Sequence, residues 1–241
     1  LTITTAATID GFIDISVAGA ALDNTGGTIT ASTGGGASDI LLDTTGSGNI
    51  TLGTLVAADD TVTISSAGSL NDDGAGVPDI TAATVNLTAV AGIGGNTPVE
   101  LASVTLIDSV VTGDGDIDLI NASALSVTVS DFDIDGAGSA AYSQTGTGAV
   151  VFERVETSDG AVSVTNADAD ITFTDTGSGN GVSLAGTTPS LTVDAGTANI
   201  VLDTDITTAG GNISFASDVL LSKAPVSIGS GAAAGDITFA R

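Results

Sequence analysis

Short alternating strands, each entered through Gly, Asn or Asp, recur from one end of this chain to the other, and they leave few folds open. Examples are Gly48-Asn49-Ile50-Thr51-Leu52, Asp60-Thr61-Val62-Thr63-Ile64 and Gly115-Asp116-Ile117-Asp118-Leu119. Later ones are Asp170-Ile171-Thr172-Phe173, Asn199-Ile200-Val201-Leu202, Asn212-Ile213-Ser214-Phe215 and Asp236-Ile237-Thr238-Phe239. Each places apolar residues two apart with a small polar residue between them. That is the period of a half-buried strand, and the β-branched enrichment agrees. Gly-Ser-Gly, Asp-Gly and Gly-Gly breaks supply turns where φ can be positive. The Ala-rich stretches carry too many Gly and Thr for helices, and no apolar stripe at helical spacing.

The spacing sets the architecture. Ile171, Val182, Leu191, Ile200, Ile213, Val226 and Ile237 follow one another at 11, 9, 9, 13, 13 and 11 residues. Two such strands with their turns make a unit of about 20–25 residues, within the range of solenoid repeats. One unit cannot bury its apolar edge alone, whereas stacked units bury a continuous column of Ile, Val, Leu and Phe. The expected fold is therefore all-β, a parallel β-helix (β-solenoid) running as one continuous segment through residues 1–241. A β-sandwich is the alternative, because strands every 8–12 residues also suit one. Aromatic residues are only 3% of the chain, too few to fill the space between two broad sheets. At roughly 22 residues per coil and ~4.8 Å per coil, the chain makes about 11 coils and a rod of about 50 Å. Longer loops are expected near 92–98 and 136–148, and Pro78, Pro98, Pro189 and Pro225 sit at or beside turns.

Charge and missing residue types narrow the function. The chain has 29 Asp+Glu against 3 Lys+Arg (Arg154, Lys223 and Arg241), a net charge of −26, and no His, Cys, Met or Trp. Without His the usual general base and transition-metal ligand is missing. Without Cys there is no thiol nucleophile, disulfide or thiolate site. A chain this acidic repels phosphate, which argues against nucleic acid and against an anionic membrane surface. No run of 18 apolar residues offers membrane insertion. Yet 42% of residues are hydrophobic and mean hydropathy is +0.45, so the chain is expected to fold rather than remain disordered.

The segment Val85-Asn86-Leu87-Thr88-Ala89-Val90-Ala91-Gly92-Ile93-Gly94-Gly95-Asn96-Thr97-Pro98-Val99-Glu100-Leu101 resembles a recurrent passage of the filamentous-haemagglutinin-like large bacterial surface exoproteins. There a Leu-Asn-Leu-Thr-Ala strand precedes Gly-Ile-Gly and then a Pro-Leu-Glu stretch. The strands around Ile213 and Ile237 are similar to the same family's repeats. The resemblance implies a right-handed parallel β-helix, secretion, and roles in adhesion, biofilm or surface structure.

Candidate sites are acidic. Asp131, Asp133 and Asp135 alternate with Phe132 and Ile134, and Asp114, Asp116 and Asp118 alternate around Ile117. On stacked strands such carboxylates approach to roughly 5 Å, and Ca²⁺, a hard cation with six to eight oxygen ligands, would relieve their repulsion. A solvated acidic face that keeps the rod soluble and blocks edge-to-edge aggregation accounts for the same pattern. The Asp59/Asp60 and Asp72/Asp73 pairs sit in turns, and three scattered basic residues do not line a cleft for an anionic sugar, so no enzyme is expected. Two functions follow. One is an extracellular or cell-surface structural protein, a rod or filament segment that self-associates end to end or continues a longer chain. The other is an adhesin segment binding a glycan or cell surface through its loops, with Tyr142 as the aromatic contact.

Overall fold

A computed structural model describes the chain except for residues 10, 33–36, 177–180, 188, 233–234 and 241. Arg241, one of the three basic residues, lies outside the described residues. The described residues form a parallel β-solenoid. Every ladder that joins its strands is parallel, which excludes the sandwich, whose sheets are antiparallel.

One ladder can be followed through the whole chain. It passes from Thr5–Ile9 to Thr28–Ser32, Thr54–Ser66, Ile80–Ala89, Val99–Ala102 and Ile117–Ala122. It continues through Ala140–Gln144, Val162–Asn166, Leu191–Asp194 and Ile213–Phe215 to Ile237–Phe239. These ten register steps join eleven strands, one for each of the about eleven coils expected. Coils are unequal: Leu101 faces Asn121, 20 residues on, whereas Val162 faces Leu191, 29 residues on.

The cross-section has three sides, and its corners migrate along the axis. Near the amino end a second ladder runs from Ile13–Ala18 through Ile40–Thr45 to Leu106–Val111 and Val127–Ala137. There it divides. Val150–Phe152 stacks on the first part of Val127–Ala137 and Val155–Asp159 on the later part, and the two continue as separate ladders. The short ladder of Leu22–Asp23, Ile50–Thr51 and Leu70–Asn71 passes through bridges at Ile93 into Ile117, where it merges with the first.

Inside lies one apolar column of Ile, Val, Leu and Phe, nearly all of it fully buried. Part of it holds Phe132, Tyr142, Phe152 and Phe173, with neighbouring ring centroids 5.5–6.4 Å apart. These rings fill the core around the point where the second ladder divides.

Two sequence expectations are corrected. Residues 136–148 are not one long loop, because Ala140–Gln144 is a core strand with alternating burial. Asp59 and Asp60 are not in a turn. They lie within Thr54–Ser66 at a register shift, where Asp59 takes φ 66°. The 92–98 stretch is a corner interrupted by the Ile93 bridge. Its Gly94 has φ 86°, and a Cβ there would run into the Asp118 carbonyl of the next coil.

Candidate acidic sites

The Asp/Asn-Ile signature has a physical cause. In seven such pairs the side-chain oxygen just before the Ile accepts a backbone N–H from the next coil. Asp39 accepts from Thr61 (3.0 Å), Asn49 from Ser69 (2.9 Å) and Asp79 from Glu100 (2.8 Å). Asp116 accepts from Ser139 (2.7 Å), Asp170 from Asn199 (2.8 Å), Asp205 from Ser227 (2.7 Å) and Asn212 from Asp236 (2.9 Å). Asp114 does the same for Ala137 at 2.9 Å. Corner N–H groups fall outside the ladder and need an acceptor. A short acidic or amide side chain at strand entry supplies one and ties two coils together.

This decides what Asp114, Asp116 and Asp118 do. Asp114 and Asp116 precede the strand, which starts at Ile117, and each carboxylate is engaged with a backbone N–H. Asp118 is half-buried on the strand. Burial, and then the neighbouring Asp116, push its carboxyl above the ordinary value. It stacks on Ala141 of the next coil, so no carboxylate pair forms there.

Asp131 and Asp133 do meet a cation, and it is a protein one. Arg154, one coil on, places Nη1 2.7 Å from Asp131 and 3.1 Å from Asp133, and Nη2 2.6 Å from Glu156. Asp108 stacks directly under Asp131. Burial pushes the carboxyls of Asp108, Asp131 and Asp133 upward, and the guanidinium pulls against it. Asp135 is exposed beyond this group. The repulsion expected from stacked Asp side chains exists between Asp108 and Asp131, and Arg154 offsets part of it.

Tyr142 is not a surface aromatic. It is 1% exposed, and its hydroxyl donates to Gln144 Oε1 at 2.7 Å and accepts from Asn121 Nδ2 at 3.4 Å. Burial pushes its phenol upward. Asn121, Gln144 and Asn166 stack in register as a buried amide ladder, and their amide groups donate to the corner carbonyls of Val104, Ser123 and Gly148. Tyr142 therefore braces a corner and offers no face to a sugar.

The structure adds a site that sequence reading missed. Asp72, Asp73 and Asp79 converge so that one oxygen from each lies within 4.8 Å of the others, the only such triple among the described residues. Asp79 is 2% exposed. Burial, with Asp72 and Glu100 beside it, pushes its carboxyl up to about 8, against the pull of the Glu100 N–H. Glu100 is raised as well, by burial and then by Asp72 and Asp73, and its Oε2 is buried without a hydrogen-bond partner. Backbone N–H groups hold the outer pair: Gly74 donates to Asp72, and Ala75 and Gly26 donate to Asp73. A proton on Asp79 or a bound cation would relieve the repulsion among four acidic groups so placed. The Asp72/Asp73 pair was visible in the sequence, but its convergence with Asp79 across the corner was not.

No helix among the described residues is long and apolar enough to cross a membrane. In comparisons with protein-family models, curated proteins and solved structures, the chain has no match.

Proposed function

We propose that this chain is a non-catalytic structural rod, a segment of an extracellular or cell-surface bacterial assembly of the filamentous-haemagglutinin-like kind. The observation that carries this reading is the unbroken apolar column. It is held coil to coil by parallel ladders and by the strand-entry carboxylates of Asp39, Asp79, Asp114, Asp116, Asp170 and Asp205, so these acidic residues serve to build the rod. A repeat scaffold of this type buries a continuous core between neighbouring coils and presents an extended surface, which suits a stalk or filament. End-to-end self-association, or continuation within a longer chain, is in keeping with parallel ladders that can be extended coil by coil. Immunogold labelling and cryo-electron microscopy of the producing cells test the reading. Labelled rods or filaments outside the cell are expected, and labelling confined to the cytoplasm would overturn it. With Tyr142 in the core, nothing specific favours the glycan-binding alternative.

Calcium belongs to the proposal through one observation, the Asp72/Asp73/Asp79 triple with Glu100 beside it. Ca²⁺ accepts such oxygen ligands, and backbone N–H groups already orient two of the carboxylates. A thermal melt with and without excess chelator decides this point. A lower transition in chelator supports calcium, and an unchanged transition leaves a proton on Asp79 as the neutralising charge.

A further inference from the structure

One corner of the rod carries both a projecting apolar side chain and a groove that can receive one, and we propose that two copies of this chain pair side by side there, each seating Leu125 in the groove of the other. This goes beyond end-to-end continuation, because it joins solenoids along their flanks. The corner lies where the first ladder passes into the second. Residues 81–84, 102–106, 122–128 and 145–151 cross it on four consecutive coils, and none of them is charged. Ladder register aligns them. Thr81, Ala102 and Ala122 form one outward row, and Thr84, Leu106, Thr128 and Val151 form another. In a chain with 29 acidic residues, such a band is a stretch of flank that a second copy can approach without setting carboxylate on carboxylate at its centre.

Shape selects a copy of the same chain as the occupant. Leu125 is 66% exposed, and Leu106 on the same band is 39% exposed. Leu125 forms one wall of a groove of about 240 Å³ that runs over the three preceding coils, lined by Ala58, Ala82, Ala83, Ser103 and Thr105. An apolar cavity of about 150 Å³ already admits benzene, so a leucine side chain fits. Two non-glycine residues among those described hold a positive φ, Asp59 at 66° and Ser103 at 62°, and both line this groove. Left-handed backbone is uncommon at such residues and persists only where the surrounding structure imposes it. Knob and groove on one patch make a self-complementary surface, as an isologous two-fold pair requires. Leu125 stands one coil beyond Ser103 along the axis, so a two-fold that exchanges knob and groove runs across the rods and sets them antiparallel. Each margin of the band then faces its own counterpart. Glu100 stands two residues before Ala102 on one margin, and Asp108 two residues after Leu106 on the other. These like charges repel across the contact, so added salt strengthens the pairing. Four coils at ~4.8 Å cover about 19 Å of the axis, small for a permanent dimer, so the pair is a weak one.

Sedimentation velocity of the full chain over a concentration series, in about 0.05 M and about 0.5 M NaCl, tests the pairing. A monomer–dimer equilibrium is expected, shifted several-fold toward dimer at the higher salt. Leu125→Asp, at a site already exposed, is expected to leave the circular dichroism spectrum unchanged and to weaken pairing at least about tenfold. Val77→Asp, at an apolar site outside the band that is 53% exposed, is expected to leave pairing unchanged. Cross-linking reads the geometry directly, because the chain has no cysteine of its own. An Ala83→Cys copy mixed with a Leu125→Cys copy should form a disulfide-linked dimer under mild oxidation faster than either variant alone. Monomers at every concentration and salt overturn the pairing and leave the groove to a partner of other chemistry. Association that survives Leu125→Asp, that falls equally with Val77→Asp, or that weakens as salt rises also overturns it. The pairing rests on the geometry of the solenoid and not on its place outside a cell, so its failure leaves the rod reading standing.

Discussion

Asp79 poses the sharpest electrostatic problem in the molecule, and its pH dependence has a definite sign. An ordinary Asp carboxyl titrates at about 3.9 in an unfolded chain, and in the folded chain Asp79 is pushed up to about 8. Below about pH 4 both states hold the proton and the cost is absent. Between about pH 4 and 8 the folded state keeps a proton that the unfolded state has lost, so stability falls as pH rises. Calorimetric melts between pH 4.5 and 8 should show a falling transition temperature, and Asp79→Asn should remove much of that slope while its amide oxygen still accepts the Glu100 N–H. A residual slope of the same sign is expected from Glu100, Asp108, Asp118, Asp131 and Asp133, all raised. Arg154 works in the opposite sense, as the counter-ion of three carboxylates. Its side chain is 28% exposed, so water takes over part of its role when it is removed. Arg154→Gln should cost about 1–3 kcal/mol in urea unfolding, below the range for fully buried pairs. Tyr142→Ala should cost about 3–5 kcal/mol, the scale of a buried aromatic truncation, and would also leave the Gln144 and Asn121 amides short of a partner. A loss of adhesion in that variant would therefore report a damaged core.

At the level of the strand, the residue just before it adds to the stability that the apolar residues supply. Asp116→Ala removes the acceptor for the Ser139 N–H at a coil corner, and about 1 kcal/mol of stability should go with it. Asp116→Asn keeps an acceptor oxygen and should cost much less, a contrast that equilibrium unfolding of the two variants can resolve. The Asp/Asn-Ile starts and their inward partners were legible in the sequence because period-2 alternation is a local property. What the Asp accepts from was not, since the donor lies 20 to 29 residues away on a coil of variable length. The strand Ala140–Gln144 was hidden for a different reason. Its inward residues are Ala140, Tyr142 and Gln144, a small residue and two polar ones, so the alternation is present in burial but not in hydropathy. The carboxylates of Asp131 and Asp133 were correctly placed on one strand, but their partner Arg154 sits in a connection between strands, where sequence gives no register. Asp79 was overlooked because it ends an irregular 72–78 corner and its neighbours gather only when the chain turns back on itself.

For the whole molecule, the governing quantity is a net charge of −26 spread along a narrow rod. Stacked coils lie ~4.8 Å apart, whereas the screening length is ≈ 10 Å at 0.1 M salt and ≈ 30 Å at 0.01 M. At low ionic strength each carboxylate therefore feels those on several coils above and below. The unfolded chain spreads the same charges over a larger volume, so repulsion penalises the folded rod more. Adding NaCl from about 0.01 to 0.5 M should raise the transition temperature by several degrees, at roughly 2–4 °C per kcal/mol for a chain of this size. Screening depends on ionic strength and not on the identity of the cation, so KCl should act as NaCl does. Calcium chloride at matched ionic strength is the informative comparison. If it raises the transition no further, no carboxylate cluster holds the ion, and a proton on Asp79 is the neutralising charge at its corner. If millimolar calcium exceeds the screening curve, the excess comes from a site that binds the ion. Its loss in Asp79→Asn, with retention in Asp116→Asn, would then place that site at the Asp72/Asp73/Asp79 corner and not along the strand-entry carboxylates.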